Sequence, residues 1–175
     1  PLKCGKGSAY EGGIREPMIV RWPGTVQPGT RCNDYLIIED FYPSILEMAG
    51  IDDYDVPQEI DGISFVPLLK QTKNHSQGRS LYWNCPNIWG EKGPGIGPSC
   101  TIRKDNWKMI YFYETGEKEL YDIPNDIEEN NNVAALYPQI INKLSKELGK
   151  FLRQTNGQRP SFKKTGKPCP WPDEI

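Results

Sequence analysis

The residues best placed to do chemistry stand together early in the chain, in Gly5-Lys6-Gly7-Ser8-Ala9-Tyr10-Glu11-Gly12-Gly13-Ile14-Arg15-Glu16-Pro17. Lys6 has glycine on both sides, so the backbone beside it can take positive φ and let other groups come close. A lysine held in this way offers its ammonium as a compact point charge for an anionic group. Glu11 and Arg15 stand four apart and can pair, which would brace the Lys6 loop rather than take part in chemistry. The spacing excludes two nucleotide motifs. A Walker A loop needs Ser or Thr directly after its lysine, whereas Gly7 follows Lys6. A dinucleotide fingerprint needs a strand ahead of its glycines, and here the apolar run Met18 to Trp22 comes after them.

Other reactive side chains are sparse. The 5 cysteines are Cys4, Cys32, Cys85, Cys100 and Cys169, with no Cys-x-x-Cys, and the single histidine, His75, has no companion at ligand spacing. A zinc site is therefore not expected. Cys85 and Cys100 flank one glycine-rich loop and can close it as a disulfide, but residue count alone gives weak support to any pairing and free, partly buried cysteines are the preferred reading.

Around these groups the pattern implies two kinds of structure. Met18 to Trp22 and Tyr35-Leu36-Ile37-Ile38 read as short buried strands, and Asp40 offers an N-cap for a helix through Phe41, Ile45, Leu46 and Met48 that stops at Gly50. Strand, turn, strand, helix is the expected edge of a larger α/β sheet. Phe65 to Leu69 is too short for an independent helix, and residues 71–79 are polar enough for a linker. Ser80 to Trp83, Cys100 to Arg103, Trp107 to Tyr113 and Glu119 to Ile123 then read as strands, the last three as an antiparallel meander. Gly90 to Pro98 is loop. A helix from Pro138 carries Ile140, Ile141, Leu144, Leu148, Phe151 and Leu152 on one stripe, a core face for the meander. The expected fold class is α+β, divided as 1–70, a linker at 71–79, and a subdomain at 80–175 ending in an irregular tail tied down by Phe162 and Trp171.

The chain has 175 residues with net charge −2, from 21 basic and 23 acidic side chains, so no overall nucleic-acid footprint is present. No apolar run approaches the roughly 20 residues of a membrane span. Beginning at Pro1 without methionine or signal peptide, beside a functional motif, the chain reads as a fragment or processed product.

The run GKGSAYEGGIREPMIVRWPG resembles the stretch that follows the active-site core in type I sulfatases, the formylglycine-dependent enzymes of the alkaline phosphatase superfamily. TIRKDNWKMI, ELYDIPNDIEENNNVA, the closing helix and GKPCPWPDE are similar to that family's C-terminal patterns, so the resemblance covers most of the chain. It implies that residues 1–70 end the large α/β domain, that Lys6 contacts the sulfate group, and that Cys4 replaces a frequent glycine. It also implies a sulfated carbohydrate or aryl sulfate substrate, a periplasmic or secreted bacterial enzyme, and calcium plus formylglycine in the complete protein. The formylglycine precursor motif Cys/Ser-x-Pro-x-Arg does not occur in this sequence. This chain alone is therefore expected to be inactive, needing the missing N-terminal part as its partner and holding no cofactor itself.

In such sulfatases the stretch after "LYW" often carries histidines facing substrate, and here Asn84 and Asn87 occupy those positions, followed by Trp89. These three are candidate sugar contacts, with an Asn-capped turn before Pro86 and loop packing of the indole as the structural alternatives. Two other readings stay open: phosphoester or phosphonate hydrolysis within the same superfamily, and a non-catalytic carbohydrate- or protein-binding module using the loop Asn84–Gly97.

Overall fold

A computed structural model describes residues 2–51, 53–71, 78–88, 90 and 93–175. Most of the expected linker (72–77, with His75) and Trp89 lie outside the described residues. In chain order the elements are helix α1 (Glu11–Ile14), a 3-10 turn (Ile38–Asp40), α2 (Phe41–Met48), α3 (Val66–Leu69), strands β1 (Ser80–Cys85), β2 (Ser99–Lys104), β3 (Trp107–Phe112) and β4 (Lys118–Asp122), and α4 (Pro138–Gln154). They gather into two compact units, one of residues 17–79 and one of residues 1–16 with 80–175.

The second of these units is built on a four-stranded antiparallel meander in the order β1-β2-β3-β4, so the chain is α+β. The β2–β3 connection is Asp105-Asn106, with Asp105 at φ 51, the positive value that tight hairpin turns require. Register aligns Tyr82, Ile102, Met109 and Leu120 across the sheet. With Cys100, Tyr111 and Tyr113 they form the face on which α4 lays Leu144, Leu148 and Leu152. Pro138 occupies the first turn of α4, where its missing N–H costs nothing. Tyr82 stacks on Phe151 at 3.8 Å between ring centroids. Burying each such leucine contributes about 1.5–3 kcal/mol, so this packing holds the unit together. Trp171 and Cys169 bring the irregular tail onto the same core, with Arg159 over the indole. The opposite face carries Ile110, Tyr121 and Ile123 and is covered by Ala9 and Tyr10. The beginning of the chain is thus the second layer of this sheet.

In the unit of residues 17–79, α2 ends as expected. Gly50 takes φ 71, and the Gly50 and Ile51 amides return to Glu47 and Leu46. Two expectations are corrected. Met18 to Trp22 and Tyr35 to Ile38 form no strand, because a strand needs a neighbour to share its backbone hydrogen bonds and no described strand lies beside either. Asp40 does not cap its own helix. Its carboxylate instead accepts from the Ile37 and Ile63 amides at 3.0 and 2.9 Å and from both terminal nitrogens of Arg79 at 2.7 and 2.6 Å. Phe65 to Leu69, too short for an independent helix, forms only the single turn α3.

All cysteines are free thiols. Cys85 faces Ser99 across β1–β2 while Cys100 faces Asn84, so the two side chains point to opposite faces of the sheet and cannot bridge.

Candidate functional site

Lys6 sits at the exposed crest of a tight loop closed by the Ser8 amide donating to the Gly5 carbonyl at 3.1 Å. Gly7 takes φ 88 and Cys4 takes φ 60. The left-handed conformation at Cys4 explains why glycine suits that position so well. Among the described residues the Lys6 ammonium has no hydrogen bond or ion pair, so it is available to an outside anion.

The loop is rigid because its backbone is wound tightly against α1. The Gly12 amide donates to the Lys3 carbonyl at 3.0 Å and the Gly13 amide to that of Tyr10 at 2.8 Å. A Cβ on Gly12 would stand 2.3 Å from the Lys3 oxygen, and one on Gly13 2.0 Å from the Ser8 oxygen. The two glycines are there for close approach. Ser8 and Ala9 also dock on the glycine-rich segment after β1, through Ser8 Oγ to the Pro94 carbonyl at 3.0 Å and the Ala9 amide to Gly95 at 2.9 Å.

Beneath the loop lies a polar base. The Tyr10 and Tyr121 hydroxyls both donate to Glu119, at 2.8 and 2.9 Å. Burial, then the neighbouring Glu119 carboxylate, pushes the Tyr10 phenol well above its ordinary range. The Lys3 ammonium lies 4.0 Å over the Tyr10 ring and donates to the Glu129 carbonyl at 2.8 Å.

Glu11 is the centre of this base. The Glu11–Arg15 pair forms at 3.6 Å, but it is the outermost of three. Arg103 approaches to 3.2 Å and Lys108 to 3.0 Å. Lys108 is 0% exposed and also lies 2.9 Å from Glu129 Oε1, off the direction of a good hydrogen bond. The other Glu129 oxygen accepts the Glu11 amide at 2.5 Å. Burial raises the Glu129 carboxyl, with Lys108 opposing the shift. One ammonium therefore serves two buried carboxylates, one on α1 and one on the turn after β4. Asp126 shapes that turn by accepting the Asn130 and Asn131 amides.

Of the other expected site residues, Asn84 and Asn87 are described and Trp89 lies outside the described residues. Asn84 alternates onto the sheet face that carries α4, opposite the face the Lys6 loop covers. Its amide donates to the Gln158 carbonyl at 2.7 Å and accepts from the Tyr113 hydroxyl at 3.0 Å. Asn87 is exposed in the turn after β1. Lys108, Arg103, Glu129 and Lys3 were not singled out by sequence. One signal for Lys108 was legible: a charge sharing a strand face with Ile110 and Phe112 needs a buried counter-charge.

No three His, Cys, Asp or Glu side chains among the described residues converge as a metal group. Glu11 and Glu129 are taken by Lys108, so the described residues do not fit a calcium ion.

Residues 5–155 match the family model described as N-sulphoglucosamine sulphohydrolase, C-terminal, and the chain belongs to that sulfatase family. It is 29% identical to a "Sulfatase" of Formosa agariphila over 98% of this chain and 33% of that protein. It is 30% identical to Arylsulfatase K of Xenopus laevis over 82% of this chain and 27% of the relative. The crystal structure of Ps i-CgsB in complex with k-i-k-neocarrahexaose superposes with TM-score 0.76 at 28% identity, over 93% of this chain and 34% of that one. The chain spans about a third of the length of these proteins.

Proposed function

We propose that this chain is the C-terminal part of a sulfatase that hydrolyses sulfate esters of carbohydrates, and that Lys6 contacts the sulfate. The observation that carries the reading is an ammonium with no partner among the described residues, on a glycine loop anchored by backbone contacts and a buried ion cluster. Such a cation needs no rearrangement to meet sulfate oxygens, and preorganised charge of this kind is usually the largest catalytic contribution. Membership of an N-sulphoglucosamine sulphohydrolase family and likeness to a protein seen with a neocarrahexaose favour a sulfated sugar as substrate. A small aryl sulfate would use the same lysine with fewer contacts.

The formylglycine nucleophile and the calcium that this chemistry would use are assigned to parts of the complete enzyme other than these residues. Asn87, exposed in the loop after β1, and Trp89 are the candidate sugar contacts there, and Asn84 bonds to Tyr113 and Gln158. A periplasmic or secreted setting fits a polysaccharide substrate. The test is an assay of the complete, formylglycine-bearing enzyme on an aryl sulfate, a sulfated oligosaccharide and an aryl phosphate. Sulfate release from the first two is expected. Hydrolysis of the phosphate alone would overturn the reading.

A further inference from the structure

We infer that Glu11, clamped by Lys108, is a positioning residue for Lys6, fixing the height and direction of the loop from inside the sheet. The inference rests on the proposed contact of Lys6 with sulfate. Its basis is that Glu11 is held twice. Its side chain meets Lys108 at 3.0 Å and Arg103 at 3.2 Å, and its own amide donates to Glu129 at 2.5 Å. Lys108 rises from β3, an inner strand with hydrogen-bonded neighbours on both sides, so it is a fixed point.

Helix α1 has 4 residues, far too few to be stable by itself, so it stays where Glu11 is held. From Glu11 the constraint passes to the crest through backbone contacts alone: Gly12 against Lys3, Gly13 against Ser8, and Ser8 back to Gly5. A shift of α1 must therefore move Lys6. Stability does not require this chemistry, since a buried ion group is often no better for stability than apolar side chains of the same volume. What an ion group adds is directionality, because three cations around one carboxylate leave it little freedom to rotate or slide.

The test is a double-mutant cycle in the complete enzyme, reading kcat/KM on a sulfate ester for Glu11→Gln, Lys6→Ala and the double variant. Glu11→Gln keeps the volume and removes the charge. The expected result is a loss of about tenfold or more in the Lys6 background, since small misplacements cost factors of this order or larger. In the Lys6→Ala background the same change should cost under about twofold, because residues acting through one another are not additive. A merely structural Glu11 would lower activity equally in both backgrounds, and that additivity would overturn the inference while leaving Lys6 in place. If Lys6→Ala is itself silent, the sulfate contact fails and this inference fails with it. Should Glu11→Gln not fold, Arg103→Gln, which keeps the Lys108 clamp, enters the same cycle with a smaller expected loss. Additivity there would equally overturn the inference.

Discussion

The Lys108 ammonium lies 3.0 Å from the Glu11 carboxylate, across 97 residues of sequence, with both side chains almost wholly withdrawn from water. Removing only Lys108 leaves Glu129 buried without its cation, while Glu11 keeps Arg103 and Arg15, and an unpaired buried charge costs about 3–5 kcal/mol. Lys108→Met should lower the free energy of urea unfolding by that amount. Adding Glu129→Gln should recover much of it, because Glu11 keeps Arg103 and Arg15 and the carboxylate that depended on Lys108 alone is then gone. A loss under about 1 kcal/mol for the single variant would mean that water reaches the cluster.

The glycines of the loop should separate sharply. Gly12→Ala and Gly13→Ala each drive a Cβ into backbone oxygen at 2.3 and 2.0 Å, where no flexible side chain can yield. Each should cost about 2 kcal/mol or more, in the range of overpacked sites. Gly5→Ala meets nothing within 4 Å, so it should stay within about 0.5 kcal/mol, as surface substitutions do. Thermal unfolding of the three variants decides it.

Much of this arrangement was legible in sequence, and the missing part has a common cause. The meander was readable because Trp107, Met109 and Tyr111 alternate with Lys108, Ile110 and Phe112, and α4 because its leucines recur at helical spacing. Both are local periodicities. Met18 to Trp22 has a strand's composition yet forms none, since composition expresses a tendency and pairing needs a partner. The Glu11–Arg15 pair was foreseeable at four residues' separation, whereas Lys108 and Glu129 reach Glu11 only once the sheet exists. Asn84 is a candidate sugar contact only through the resemblance of the stretch after Tyr82-Trp83 to a substrate-facing one, and sequence does not show which way its side chain turns. The two-residue alternation of β1 puts it on the sheet face that carries α4.

That placement divides the two asparagines. Asn84→Ala removes an acceptor from buried Tyr113 and a donor from Gln158, so it should cost about 1–3 kcal/mol of stability. In the complete enzyme it should affect aryl sulfate and sulfated oligosaccharide alike. Asn87→Ala should leave stability unchanged and weaken hydrolysis of the oligosaccharide more, because only that substrate can use a contact remote from the sulfate. Paired melting curves and kcat/KM ratios check both, and equal losses on the two substrates for Asn87→Ala would remove it from the sugar site.

Asp40 should make residues 17–79 acid-sensitive. Burial tends to raise its carboxyl, but Arg79 and the Ile63 and Ile37 amides outweigh burial and hold it below its ordinary 3.8. Its folded pKa is depressed, so the stabilisation is complete above about pH 3.8 and is lost as pH falls through the lower folded value. Asp40→Asn should cost about 3 kcal/mol at neutral pH, as for one partner removed from a buried pair. It should also flatten the fall in melting temperature as the pH drops below about 3.8. An unchanged acid profile would show that another group controls it.

The most direct test of the account is kcat/KM for a sulfate ester in the complete enzyme carrying Lys6→Ala. Lys6 is exposed and bonds to nothing among the described residues, so the melting temperature should hardly change. Removing a preorganised charge from the transition state typically costs about 3 kcal/mol, or about a hundredfold in rate. Lys6→Arg should restore only part, because a planar guanidinium does not present its charge where a compact ammonium does. A hundredfold loss with an unchanged melting temperature is the result predicted. Efficiency within about twofold of wild type, the range of an ordinary surface lysine, would contradict the assignment of Lys6 to the sulfate.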